Sequence, residues 1–296
     1  MDRKHILSKT LLTKVKKSDY WFGYDFNMNL FRGCVHGCIY CDSRSDCYQV
    51  GNFEEIKVKI NSTELLKQEL SSKRTKGVIC MGSMSDPYNP LEREYELTRK
   101  ALELIADFGF GVMVITKSNL VLRDIDLLKK INKKNKVVIG FTITTFDDGL
   151  GKIIEPNVNV SSKRFEAIKT LVDAGITSGV LLMPLLPFIN DNVKNVIGIV
   201  EESKKVGASF VYPLFGVTIR DGQREYFYDS LDKKFPGIKE KYISTYGNRY
   251  YCESLNKSIL EREFKKSCEK NKILYKMNEI NLEIFKNVVI EQISLF

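Results

Sequence analysis

The chain has 296 residues, 43% of them hydrophobic, and a formal net charge of +9, enough apolar material for one large core and too much for a disordered polymer. Its richest apolar run, Gly179 to Ile189, is short and broken by Pro184 and Pro187, so no stretch reaches the length of a bilayer span. His5 and His36 are the only histidines, which excludes acid–base chemistry centred on several imidazoles.

In chain order, Met1 to Lys17 is charged throughout and lacks the apolar stretch of a signal peptide, which predicts a cytoplasmic protein. Next come Cys34, Cys38 and Cys41, spaced C-x-x-x-C-x-x-C. A short loop turns three sulfurs toward one point at little chain-closure cost, so the triplet can hold an iron-sulfur cluster with one iron open. A zinc knuckle completed by another ligand, or three unpaired structural thiols, is the alternative. Cys47 lies six residues beyond Cys41, and the seven cysteines form no disulfide framework, which fits a reducing compartment.

From residue 77 strand-like runs alternate with amphipathic helices. Gly77 to Met81 is followed by a helix around Arg93 to Phe108, where Leu97, Ala101, Leu104, Ile105 and Phe108 recur at helical spacing. Val112 to Thr116 precedes a helix around Arg123 to Asn132 with the stripe Ile125, Leu128 and Ile131. Strands are expected again at Val137 to Thr144, Gly179 to Met183 and Ser209 to Leu214, with helices near Ser161 to Ala174 and Asn192 to Val206. Nearly continuous apolar strands joined by helical crossovers predict an α/β fold, either a barrel or an open parallel sheet.

Past residue 216 the rhythm stops. Arg220, Asp221 and Gly222 open a polar, tyrosine-rich stretch, followed by helical segments near Ile238 to Tyr246 and Leu255 to Glu269. With no repeat or low-complexity linker, residues 1–215 are expected to form the core with its lead-in, and residues 216–296 an extension packed on it. The lysines are spread along the chain, which suits solvated helix faces as well as a polyanionic partner.

The loop Gly33-Cys34-Val35-His36-Gly37-Cys38-Ile39-Tyr40-Cys41 resembles the cluster loop of the radical S-adenosylmethionine (SAM) enzymes, including an aromatic residue just before the third cysteine. Gly82-Ser83-Met84-Ser85-Asp86-Pro87-Tyr88-Asn89-Pro90, then Thr116-Lys117-Ser118, Leu122-Arg123-Asp124, Glu155-Pro156 and Met183-Pro184-Leu185-Leu186-Pro187 resemble the spore photoproduct lyase-like branch of that superfamily. The resemblance implies a partial (β/α)6 TIM-like barrel with a mainly helical C-terminal extension. Its first strand would lie near Asn27 to Arg32, ahead of the cluster loop, and its sites at the C-terminal strand ends.

It also implies a 4Fe–4S cluster on Cys34, Cys38 and Cys41 with the amino and carboxylate groups of SAM on the open iron. One-electron reduction then yields methionine and a 5′-deoxyadenosyl radical that abstracts hydrogen from a substrate. The implied partners are a reductant protein such as flavodoxin or ferredoxin and, within this branch, a nucleic acid, with no membrane. Radical modification of a peptide or small molecule, and a noncatalytic iron-sulfur or zinc module, are the competing readings.

Site residues carry over one at a time. Tyr40 matches the residue near the SAM adenine, and packing is its alternative. Lys117 matches a cation beside the SAM carboxylate, or is a surface lysine. Thr142 and Met183 fall at SAM-contacting strand positions or in the core. Ser83, Ser85 and Asp86 stand where the SAM amino group is touched, or merely form a turn. Ser83 and Asp86 are also weak catalytic candidates, as is Cys80.

Photoproduct lyases place a hydrogen-returning cysteine in a Cys-x-Ser-Asp context where this chain has Ser83-Met84-Ser85-Asp86, so that donor is absent. Cys80, three residues earlier, replaces it only after a shift and otherwise reads as a core thiol. Asp42 stands where the family has an aromatic residue after the third cysteine. Both departures count against true spore photoproduct repair. His36 is expected to orient the loop or meet solvent, with metal coordination as the alternative. Cys47, Cys252 and Cys268 read as structural.

Overall fold

In the computed structural model, which describes residues 3–16 and 21–285, the apolar runs line up as neighbouring strands of one sheet. The outer parts of the expected lead-in and extension, residues 1–2, 17–20 and 286–296, lie outside the described residues. The first half of the chain supplies β1 (Arg3–Ile6), β2 (Thr13–Lys14), β3 (Phe26–Met28), β4 (Phe31–Arg32), β5 (Ile56–Lys59), α1 (Ser62–Ser71), β6 (Val78–Met81), α2 (Glu92–Tyr95), α3 (Leu97–Asp107), β7 (Gly111–Thr116), α4 (Ile125–Asn132) and β8 (Val137–Thr142). After them come α5 (Asp148–Ile154), α6 (Ser161–Asp173), β9 (Thr177–Leu182), α7 (Val193–Lys205), β10 (Val211–Pro213), β11 (Gly216–Thr218), α8 (Gln223–Lys234), α9 (Ile238–Tyr246), β12 (Tyr251–Glu253), α10 (Lys257–Asn271) and α11 (Met277–Phe285).

The main sheet runs β10-β9-β8-β7-β6-β3-β2. Every pair from β3 to β10 is parallel, and β2 adds an antiparallel edge. Six parallel strands in chain order make the expected partial barrel rather than a closed one: β10 and β2 end the sheet without pairing with each other, and Leu274 bridges to the outer edge at Phe210 and Val211.

Side chains alternate across each strand, and the two faces enter different apolar clusters. Ile79, Val112, Val114, Ile139, Phe141 and Val180 join the helices in the largest cluster. Cys80, Met113, Val138, Leu181 and Phe210 meet one another inside, where Phe22 and the α11 residues Ile280 and Ile284 join them. Burial on both faces is why these strands read as unbroken apolar runs.

Three expectations need correction. The strand expected near Asn27 to Arg32 is two strands: β3 enters the main sheet, while β4 pairs antiparallel with β5 in a separate sheet ordered β1-β5-β4. Ile56 and Val58 are buried beneath that second sheet, which rewards the diversion at Phe31.

The helix expected from Arg93 to Phe108 breaks at Glu96, whose φ is +51°. The buried Glu92 carboxylate accepts the N–H groups of Thr98 and Arg99, at 2.9 and 3.3 Å, so α3 starts on a side-chain cap rather than continuing α2. The helix expected from Arg123 begins at Ile125, after a 3-10 segment, Asn119–Asp124.

Gly82 closes β6. Its φ is +99°, and a Cβ there would stand 2.1 Å from the Ile115 carbonyl oxygen, so only glycine lets this loop cross the end of β7. Gly82→Ala is expected to lower stability by more than about 1 kcal/mol, measured by denaturant unfolding.

Residues after 215 pack on the core at three places. Tyr242 and Tyr246 of α9 and Phe227 of α8 cluster with Cys38, Ile39 and Tyr40, α10 lies along α7, and α11 contributes to the barrel interior. Among the described residues no helix is long and apolar enough to cross a membrane.

Candidate active site

The ends of β6 to β9 and the loop after β4 enclose a cavity of about 280 Å³. The loop reaches it through two glycines. Gly33 has φ +83°, and a Cβ on it would come within 2.8 Å of the Phe53 carbonyl; Gly37 has φ +69°. Backbone bonds then hold the loop against the α5–α6 connection: Ile39 N–H donates to the Ile154 carbonyl at 3.0 Å, and Asn157 N–H to the His36 carbonyl at 3.2 Å. Cys34, Cys38 and Cys41 all line the cavity, none in a disulfide.

Burial pushes the Cys38 thiol up, with Lys117 opposing, and burial likewise raises Cys41. At Cys34 burial also raises the thiol, yet His36 outweighs it and the net shift is downward. Buried thiolates of this kind gain most from a bound cationic centre, which displaces their protons. Among the described residues no three His, Cys, Asp or Glu side chains converge as the ligands of one ion. Cys34, Cys38 and Cys41 are the cysteines in the cavity lining, and three thiols without a fourth are the donor set that suits an iron-sulfur cluster with one open iron.

Tyr40, Lys117, Thr142 and Met183 line the same cavity, as do Ser83, Ser85 and Asp86. They differ in how far they are already engaged. The Asp86 carboxylate accepts the Thr116 hydroxyl and the Lys117 N–H, each at 2.8 Å, and the Tyr88 N–H at 2.9 Å. His36 Nδ1 lies 3.6 Å from it. Asp86 thus ties the ends of β6 and β7 to the cysteine loop. Ser85 donates to the Phe31 carbonyl at 2.8 Å, whereas Ser83 is exposed and its Oγ accepts only from Asn29, at 3.3 Å.

The Lys117 ammonium sits 5.8 Å from the Tyr40 ring centre. Burial lowers its pKa, but Cys38 and Glu155 outweigh that and keep it charged. Behind Tyr40 lies a feature that sequence reasoning missed. The Tyr40 hydroxyl donates to Glu155, whose other oxygen pairs with Arg164 at 2.6 Å, both side chains being 1% exposed. Arg164 also donates to the carbonyls of Asn159 and Thr142, at 2.7 and 2.8 Å. The signal was a charge on the apolar stripe of α6, in line with Ile168 and Leu171.

Cys80 is not brought to the site. It is fully buried among the interior side chains, away from the cavity lining, and burial pushes its thiol up to about 12. Cys47 is exposed beside Arg220, whose Nη1 is 3.1 Å from the sulfur, and it does not line the cavity. Cys252 and Cys268 are buried. Asp42 accepts from Tyr48 Oη at 2.9 Å and from Thr218 at 3.1 Å, and pairs with Arg220 at 3.1 Å. A carboxylate in the family's aromatic position therefore fastens the cysteine loop to the extension. Arg44, also missed, lines the cavity between the rings of Phe53 and Tyr226, 4.5 and 3.6 Å away.

The family model of the radical SAM superfamily matches residues 28–198, more than half of the chain. An uncharacterized protein of Methanocaldococcus jannaschii is 33% identical over 237 residues, spanning 79% of this chain and 86% of that one. A radical SAM Nalpha-GlyT isomerase of Pseudomonas phage M6 is 23% identical over 167 residues, 55% of this chain and 34% of its own length. Among solved structures, spore photoproduct lyase complexed with dinucleoside spore photoproduct superposes with a TM-score of 0.67 at 17% identity, covering 90% of this chain and 79% of that one.

Proposed function

The chain belongs to the radical SAM superfamily, whose enzymes use a 4Fe–4S cluster and SAM, and from that premise we propose that it generates a radical at this cavity to remove hydrogen from a nucleic-acid substrate. The observation that carries the reading is that three thiols and one ammonium face the same strand-end cavity. Cys34, Cys38 and Cys41 would hold the cluster. When bound, cluster and SAM together supply methionine and a 5′-deoxyadenosyl radical.

The chain's own residues bind, orient and shield. Lys117 presents a permanent positive charge to the SAM carboxylate, and Asp86 holds that lysine's backbone in place. Tyr40, fixed through its hydroxyl, would offer a ring face to the adenine, while Thr142 and Met183, which line the same cavity, would contact SAM from the strand ends. Packing around the cysteines keeps water from the reacting centre. Ser83 has no S–H to return a hydrogen atom, which separates this chain from photoproduct repair while leaving abstraction intact.

Three features favour a nucleic acid: the net charge of +9, the branch motifs, and the dinucleoside bound by the fold neighbour. A flavodoxin- or ferredoxin-like protein is the proposed reductant. The test is anaerobic turnover with SAM, a reductant and either oligonucleotides or peptides. Oligonucleotide should raise 5′-deoxyadenosine formation and emerge modified; stimulation by peptides alone would overturn the substrate assignment. Lys117→Met should raise the KM for SAM at least about tenfold, as expected for losing a charge-assisted contact of about 1.5–3 kcal/mol.

A further inference from the structure

Beside the cavity lies a second cleft, of about 420 Å³, walled by residues 6–10, by β4 and β5, and by the turn at Met84. Its cations are Lys9, Arg32 and Lys59, and no carboxylate lines it. Arg32 and Lys59 are half-buried neighbours: burial lowers the Lys59 pKa, Arg32 lowers it further, and Glu69 opposes. The Glu69 carboxylate is committed to the N–H groups of Leu11 and Leu12, at 2.8 and 2.7 Å. Arg32 donates only to the carbonyls of Tyr48 and Gln49, and among the described residues none of the three cations forms an ion pair. Like charges held together in a partly buried wall repel, and an anion placed between them relieves that cost.

The cleft and the cavity share a wall. Met84 lines both, and Asn29 lines the cleft while holding the turn between them, accepting the Met84 N–H at 3.1 Å and donating to Ser83 at 3.3 Å. In a nucleic acid every base carries a phosphate one sugar away. A nucleotide reacting at the cavity mouth therefore sets an anion in the adjoining space, a fixed spacing that an acidic peptide lacks.

We infer that this cleft seats backbone phosphates of a nucleic-acid strand whose reacting nucleotide passes Ser83 and Met84 into the cavity. The inference rests on the nucleic-acid reading above and adds where the strand lies. Lys9, Arg32 and Lys59 position the strand without reading its sequence, so binding through them weakens steeply with salt.

The test uses the full-length, iron-loaded protein and a fluorescent single-stranded oligonucleotide, with anisotropy followed across salt concentrations. Lys9→Gln combined with Lys59→Gln should weaken binding at least about tenfold. It should also reduce the slope of log affinity against log salt by about 1.4, at about 0.7 per cation. Formation of 5′-deoxyadenosine without oligonucleotide should stay at the wild-type rate, since neither lysine lines the cavity, and Lys9→Arg with Lys59→Arg should keep the affinity. Wild-type affinity in the Gln variant would overturn the cleft while leaving the nucleic-acid reading standing. No oligonucleotide binding by the wild type at low salt would overturn both. Lysine-dependent binding of polyglutamate in place of the oligonucleotide would overturn the phosphate assignment and point to a peptide.

Discussion

Replacing any one of Cys34, Cys38 and Cys41 with alanine is expected to abolish SAM cleavage. Among the described residues these are the three thiols that line the cavity, because Cys80 faces the interior core and Cys47 lies outside the lining, and the one imidazole there, His36, is turned to Asp86 at 3.6 Å. Removing one leaves two thiols for the cluster, and the neighbouring acids are already engaged: Asp86 by Thr116, Lys117 and Tyr88, Asp42 by Tyr48, Thr218 and Arg220, and Glu155 by Tyr40 and Arg164. Each variant should therefore fall from about four irons per chain to a small fraction of that after anaerobic reconstitution. Cys47→Ala, at an exposed position, should keep both iron and activity. Wild-type iron content in any of the three loop variants would remove that cysteine from the ligand set.

The largest effect on stability is expected from Glu155→Gln. Glu155 and Arg164 are an ion pair sealed from water, and the guanidinium also carries the carbonyls of Asn159 and Thr142. Neutralising the acid strands a buried cation, which costs about 3–5 kcal/mol, whereas removing both charges together costs far less. Glu155→Gln combined with Arg164→Met should therefore recover much of the loss in denaturant unfolding. A loss below about 1 kcal/mol for the single change would show the pair to be hydrated, as exposed pairs are.

The same pair sets a pH dependence. Burial raises the Glu155 pKa, but Arg164 and Lys117 outweigh it and hold the carboxyl below its usual range. A lowered folded value means stability that is present above the unfolded pKa and is lost as pH falls through the folded one. Thermal unfolding of the wild type should thus weaken on acidification below the ordinary carboxylate range, and the double variant should lack that component.

Legibility in the sequence followed burial on two faces. Strands β6 to β9 announced themselves because Ile79, Met113, Ile139 and Val180 are enclosed on whichever side they point, leaving no polar gap in the run. Strand β5 did not, because Lys57 and Lys59 alternate with Ile56 and Val58 over only four residues, too few to separate a half-buried strand from a loop. The break at Glu96 was invisible for another reason: Leu97, Ala101 and Ile105 keep helical spacing through α3, while the left-handed residue that separates it from α2 leaves no mark on the apolar pattern. Helix α8 hid in a stretch whose few apolar side chains, Phe227 and Leu231, sit among charged and tyrosine residues.

At the site, local motifs were readable and their supports were not. Cys34 to Cys41 stand on one loop, so spacing alone groups them. Lys117 needed the strand before it, which the apolar run supplied. Asp86 read equally as a turn residue and a ligand, and the structure gives it a third part, holding three segments together through one carboxylate. Arg44 reaches Tyr226 across the fold, at a separation that no short pattern records, and Arg164 meets Glu155 only because the turn between α5 and α6 folds one back on the other.

The central claim is that the cysteine loop and Lys117 form one SAM-cleaving centre. Its most direct measurement is anaerobic reconstitution of the wild-type chain with iron and sulfide, followed by reduction in the presence of SAM. The predicted result is about four irons per chain together with 5′-deoxyadenosine and methionine in equal amounts. A chain that retains zinc in place of iron and leaves SAM intact would contradict it.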